Sequence, residues 1–193
     1  MKLKNIRIKK YKLIRLYLVK YEVYTKNKLV ANMSDSVLDR LEIGLKKVLF
    51  LIDQYHRYNK KILFIGFPHS SDTKILQVLI RSNHIFIPRS VWKSGLIGNK
   101  GSLSTKSLKS SYFKKFLEIK GNPHLVVLFN EEKVHNIVPE CAKLSIPVIY
   151  LGSLVKGIEN VSYLVEGRFA NRKIKNFFQF LIYSILKKSK YKE

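Results

Sequence analysis

The stretch Gly66-Phe67-Pro68-His69-Ser70-Ser71 is the first place where residue types and spacing could do chemistry. A glycine that closes an apolar run and precedes a helix is where doubly wound folds bind phosphate. Here Phe67 and Pro68 stand where further glycines would let backbone amides approach a phosphate closely. The segment is neither a Gly-x-Gly-x-x-Gly nor a P-loop, and a tight strand-to-helix turn accounts for it. Ser70 and Ser71, at the helix start, could still hold a nucleic-acid phosphate. His69 and Asp72 are spaced to meet across one helical turn, a pairing that usually means capping. His56, His84, His124 and His135 are scattered, and none has zinc-ligand spacing to another or to Cys141. Cys141 is the only cysteine, so an internal disulfide and a cysteine-based zinc site are excluded. On an apolar helix face it reads as a small core residue. No acid/base pair stands out as catalytic, and no cofactor is required.

A second constellation surrounds Trp92. Arg89 and Lys93 flank the indole, and Lys100, Lys106, Lys109, Lys114 and Lys115 follow it. Gly95, Gly98 and Gly101 permit positive φ and close backbone approach. Trp92 has two readings: an anchor that packs the loop on the domain, or a stacking platform for an RNA base. The lysines suit phosphate contacts, although any one of them alone is an ordinary surface charge. Lys outnumbers Arg 29 to 8. That bias favours neutralising phosphates as point charges over reading base edges with guanidinium forks.

Charge location sharpens this reading. Residues 1–28 carry ten Lys/Arg against Glu22 alone, residues 86–120 eight against Glu118, and residues 168–193 eight against Glu193. These stretches hold nearly all of the formal net charge of +24, so the remainder is close to neutral. A chain so charged repels itself unless it lies against a polyanion. Nucleic acid is the first candidate, an anionic membrane surface the second and an acidic protein the third. The 46% hydrophobic content still argues for a packed fold rather than a basic tail.

The elements that must position these groups alternate. Val37, Leu38, Leu41, Leu45, Val48, Leu49, Ile52 and Tyr55 recur at helical steps after the N-cap residues Ser34, Asp35 and Ser36. Ile62–Ile65, His84–Pro88, Leu125–Phe129 and Ile146–Leu151 read as strands, the continuous apolar runs suiting a sheet buried on both faces. A last short strand is expected near Val161–Val165. Helices are expected around Ile75–Ile80, from Tyr112 to Lys120, after Asn130 with Glu131 and Glu132 in its first turn, and from Ile174 to Ile185. Pro139 predicts a kink or restart in the third of these. The pattern predicts one α/β domain: three layers, α/β/α, with a mainly parallel, flavodoxin-like or Rossmann-like sheet. The expected organisation is a basic N-terminal arm over 1–33, the domain over 34–188 with a basic loop at 89–120, and a basic tail over 189–193. The apolar run Phe177–Leu186 is too short to span a bilayer. The N-terminus has no signal-peptide pattern; it is poor in acids, as transit peptides are, but rich in Lys rather than Arg and Ser.

Four stretches in register resemble one family. Lys61-Ile62-Leu63-Phe64-Ile65-Gly66, Trp92-Lys93-Ser94-Gly95-Leu96-Ile97-Gly98-Asn99, Asn122-Pro123-His124-Leu125-Val126-Val127-Leu128-Phe129 and Glu140-Cys141-Ala142-Lys143-Leu144-Ser145-Ile146-Pro147-Val148-Ile149 resemble motifs of small-subunit ribosomal protein number two, the S-two family. The resemblance covers about residues 38–100 and 121–185. Departures are Val91 for the Arg before the Trp, Ser94 and Gly98 within the signature, Gly152 for the Asp after the fourth strand, and Glu166-Gly167-Arg168-Phe169 for Pro-Gly-Asn-Asp. The family's N-terminal histidine-containing segment is not recognisable. The residues from Lys100 to Lys120 are too few for the family's long helical hairpin. The resemblance implies a divergent organellar version, mitochondrial in preference to plastid. It would be a non-enzymatic constituent of the small ribosomal subunit, between head and body on the solvent side. Its implied partners are small-subunit ribosomal RNA and neighbouring ribosomal proteins, with no membrane span and no homo-oligomer. The expected RNA contacts are Arg89, Trp92, Lys93, Lys100, Lys106, Lys109, Lys114 and Lys115. Two rivals stand: an α/β nucleotide- or substrate-binding protein using the Gly66–Asp72 loop, and a peripheral membrane protein laying Phe177, Phe178, Leu181 and Ile185 on lipid.

Overall fold

The structure, a computed structural model, describes residues 34–66, 78, 81–88, 92, 95–98, 116, 121–129, 134–152, 160–167, 169 and 172–188. The elements in chain order are α1 (Ser34–Arg57), β1 (Ile62–Ile65), β2 (Ile85–Ile87), β3 (Leu125–Phe129), α2 (Val134–Lys143), β4 (Val148–Gly152), β5 (Tyr163–Glu166) and α3 (Arg172–Lys188).

The strands form one five-stranded sheet in the order β2-β1-β3-β4-β5. Every pairing is parallel. This is the flavodoxin-like doubly wound order, whose switch point lies between β1 and β3. Both faces of the central strands are covered, which is why they read as unbroken apolar runs. All residues of β1, β3 and β4 are buried.

Side chains alternate between two cores. On one face Ile62, Phe64, Leu125, Val127, Ile149, Leu151 and Val165 pack under α1 and α3. On the other Leu63, Ile65, Val126, Leu128, Val148 and Tyr150 pack under α2. Sheet and two flanking layers make the expected three-layer α/β/α fold. Helix α1 lies close over the sheet at Gly44, where an added Cβ would sit 3.4 Å from Val165.

Two details differ from the sequence reading. Helix α2 runs continuously from Val134 to Lys143 with Pro139 inside it, so it does not restart there. Pro139 lies on its exposed side, while Val134, Ile137, Val138 and Cys141 fill the buried stripe. Strand β5 begins two residues later than expected, because only Val165 of its four residues is buried. The expected arm 1–33, the helix cap at Asn130–Glu132 and, apart from Phe116, the segment replacing the helical hairpin lie outside the described residues.

Helix α3 settles what its apolar face touches. Phe178, Ile182 and Leu186 are buried in the core beneath it, and Phe177 and Leu181 pack against that core. Of the side chains that the lipid-facing alternative would expose, Phe177, Phe178 and Leu181 are therefore packed on the sheet. Among the described residues no helix is long and apolar enough to cross a membrane.

Candidate nucleic-acid interface

The root of the basic loop is built from Trp92 and the turn Gly95–Gly98. Trp92, Leu96 and Ile97 are all 2% exposed or less and join the core under α2. Burying one large apolar side chain stabilises by about 1.5–3 kcal/mol, so three of them fix this end of the loop firmly. The indole has no open face for a base. Trp92 is thus the packing anchor of the two alternatives, and the stacking role is set aside.

Glu140 completes the root. Its carboxylate accepts the Gly95 amide at 3.1 Å on Oε2, and the Ile97 and Gly98 amides at 2.6 and 2.7 Å on Oε1. Hydrogen bonds to an ionised acceptor are roughly twice as strong as neutral ones. Gly95 has φ +83°, so a residue without a Cβ is needed for its amide to turn toward the acid. The chain of causes is short: α2 presents Glu140, Glu140 folds the turn, and the turn delivers the lysine-rich segment that follows. Arg89, Lys93, Lys100, Lys106, Lys109, Lys114 and Lys115 lie outside the described residues. Within that segment Phe116 is helical and fully buried, a second point where it meets the core.

The switch-point glycine has a structural task. Gly66 has φ +77° and donates its amide to the Ile87 carbonyl at 3.0 Å. A Cβ there would collide with the Phe129 carbonyl oxygen. The amide that a phosphate cradle would use is therefore joined to the strand beside it. His69, Ser70, Ser71 and Asp72 lie outside the described residues.

The histidines hold elements together. His84 is buried, and its Nδ1 accepts the Ile62 amide at 3.3 Å. Its proton therefore resides on Nε2, which donates to His56 Nδ1 at 2.8 Å. This bridge ties the end of α1 to the start of β2. His124 Nδ1 likewise accepts the Lys61 amide at 3.2 Å. Among the described residues no group of three His, Cys, Asp or Glu side chains could hold a metal ion. Cys141 is fully buried, and burial, followed by the Glu140 charge, pushes its thiol from 9.0 up to about 12. A thiol held protonated in this way is a poor nucleophile.

Gly152, the departure after the fourth strand, is also explained locally. Tyr150 lies two residues earlier on the same strand face, and an added Cβ at Gly152 would run into its phenol oxygen and ring. The large Tyr150 and the absent side chain at 152 go together.

Sequence reasoning missed Glu140 as a functional residue. Its partners are backbone amides 42 to 45 residues away, which no spacing rule marks. The available signal was that it is the only acid within the ten residues of α2. A scan against models of known protein families finds no match for the chain, and a search of curated proteins finds none either.

Proposed function

We propose that this chain is a structural, RNA-binding constituent of the small subunit of an organellar, mitochondrial ribosome, acting by assembly rather than catalysis. The observation that carries the reading is the placement of charge. A near-neutral doubly wound domain bears three cationic stretches that together hold almost all of its net charge of +24. Self-repulsion on that scale is relieved by a folded polyanion. The resemblance to the S-two ribosomal family adds support. Its four stretches fall on β1, on the Trp92–Gly98 root, on β3 and on the turn from α2 into β4. The docking of that root by Glu140 gives the basic loop a fixed origin, as contact with one particular RNA shape requires. Lysines then release counterions from phosphates.

The test has two parts. The native protein should sediment with the small subunit of its own compartment at low salt. Purified protein should bind ribosomal RNA with an affinity that falls steeply as salt rises. Neutralising Lys100, Lys106 and Lys109 together to Gln should weaken binding across RNA sequences and flatten the salt slope by about 2–3 on logarithmic axes. Migration as a free particle and an unchanged slope would refute the proposal.

One observation favours a second reading, a nucleotide- or substrate-binding protein. The strand order puts Gly66 at the switch point, where such folds carry ligands. Against it stand the Gly66 amide, already bonded to Ile87, and the Phe129 carbonyl packed behind the glycine. Equilibrium dialysis with nucleotides separates the readings, because saturable binding insensitive to salt belongs only to the second.

A further inference from the structure

All five strands are parallel, so the sheet has an amino end and a carboxyl end. The basic loop departs beyond the carboxyl end of β2. The amino end carries a different set of residues. Helices α1, α2 and α3 each run back across the sheet and finish there. That end receives Arg57 from α1, Lys143 from α2 and Lys187 from α3, and Arg81 precedes β2 on the same side. Lys60 and Lys61 stand at the start of β1. Among the described residues the acids nearest this cluster along the chain are Glu140, which is taken up by the Gly95, Ile97 and Gly98 amides, and Asp53, which is paired with Arg57.

Cations at helix C-termini complement the helix dipole, and that alone explains Arg57, Lys143 and Lys187. It does not explain the turn between α1 and β1. Tyr58 there is 72% exposed, the most open large hydrophobic side chain among the described residues. The turn that presents it is tightly bonded. Tyr58, Asn59 and Lys60 donate their amides to the carbonyls of Gln54, His56 and Tyr55 at 2.9–3.1 Å. Asn59 takes the left-handed conformation, φ 52°, that ends the helix. Lys61 is clamped to β3 from both sides: its amide donates to His124 Nδ1, and its carbonyl accepts the His124 amide at 2.9 Å. The Lys60 ammonium sits 5.3 Å from the Tyr55 ring centroid. An aromatic ring is thus held out into solvent on a rigid turn, followed two and three residues later by cations outside any helix.

We propose that this end of the sheet is a second RNA contact that takes an unpaired strand. Tyr58 stacks on one base, and Lys60 and Lys61 meet the phosphates on either side of it. The inference rests on the RNA-binding reading above and adds to it the class of RNA structure recognised here. A base offers the flat apolar face that matches Tyr58, and its phosphates offer the charge that matches the lysines. Duplex RNA hides its base faces, so it uses only the charges.

The test uses the full chain and two fluorescent probes, a single-stranded uridine-rich 12-mer and an RNA duplex of equal length. Tyr58→Ala should weaken the single strand about tenfold, leave the duplex unchanged and leave the salt slope unchanged. Tyr58→Phe should keep wild-type affinity, since it keeps the ring. Lys60→Gln with Lys61→Gln should weaken both probes and flatten the single-strand slope by about 1.4. Tyr58 is exposed, and a far-UV circular dichroism spectrum identical to wild type excludes a folding defect. Equal affinity of Tyr58→Ala and wild type for the single strand overturns the proposal. So does a crosslink from position 58, in the assembled native particle, to an acidic protein rather than to RNA. If the Lys100, Lys106 and Lys109 variant loses RNA affinity while the position 58, 60 and 61 variants do not, only this inference fails. If the wild-type chain binds neither probe nor ribosomal RNA, the broader reading fails with it.

Discussion

Glu140 joins α2 to the basic loop through three amide donors, so its removal leaves the part-buried Gly95 and Ile97 amides without an acceptor, while the exposed Gly98 amide can turn to water. Glu140→Ala is expected to destabilise the fold by about 2–3 kcal/mol, the scale of hydrogen bonds to a charged group left unmade. The shift should appear in the midpoint of urea unfolding. Glu140→Gln keeps one acceptor oxygen and turns a donor toward the remaining amide, so it should fall between Ala and wild type. Cys141 beside it makes a separate statement. Its thiol is raised from 9.0 to about 12, so the folded chain keeps a proton that the unfolded chain releases. The sign follows from that. Stability is unaffected below pH 9, then declines as pH rises toward 12, by at most about 1.4 kcal/mol per unit. Iodoacetamide at pH 8 should therefore label Cys141 only in denaturant; rapid labelling of the folded chain would contradict this. Glu140 was hidden from sequence reasoning because backbone amides leave no residue signature. Cys141 was legible because its helical spacing to Val134, Ile137 and Val138 identifies an apolar stripe.

At the scale of elements, legibility tracks burial. β3 runs from Leu125 to Phe129 as its apolar run suggests, because every residue is covered on one face or the other. β5 was displaced because three of its four residues are exposed, and edge strands carry little hydrophobic pattern. Helix α2 tests a different rule. Pro139 deprives the helix interior of one amide donor, yet the helix runs on through it. The buried stripe of Val134, Ile137, Val138 and Cys141 supplies what local propensity lacks: each of these side chains contributes on the order of 1–3 kcal/mol by leaving water. Pro139 is exposed and has no packing role to lose. Pro139→Ala is accordingly expected to stabilise the domain by about 1–2 kcal/mol, the helix gain being partly offset by a more flexible unfolded chain. A fall in melting temperature on this substitution would mean that the proline ring itself shapes the α2 surface.

For the whole molecule, the charge surplus and the fold pull against each other. A sheet with both faces covered needs no help to bury its strands, but 37 basic residues against 13 acidic ones repel in any compact state. Salt screens that repulsion over a Debye length of about 10 Å at 0.1 M. The isolated protein should therefore melt at a higher temperature in 0.5 M than in 0.05 M potassium chloride. If the chain binds RNA as proposed, bound RNA reverses the order. It stabilises the folded state by mass action, and salt weakens its hold by restoring the counterion atmosphere. Melting of the complex should then fall as salt rises, and the two curves should converge at high salt, where little RNA remains bound. Opposite slopes from one chain, with and without RNA, are what a fold whose missing negative charge comes from a nucleic acid must show. Parallel slopes would mean that the cationic stretches are balanced within the protein itself.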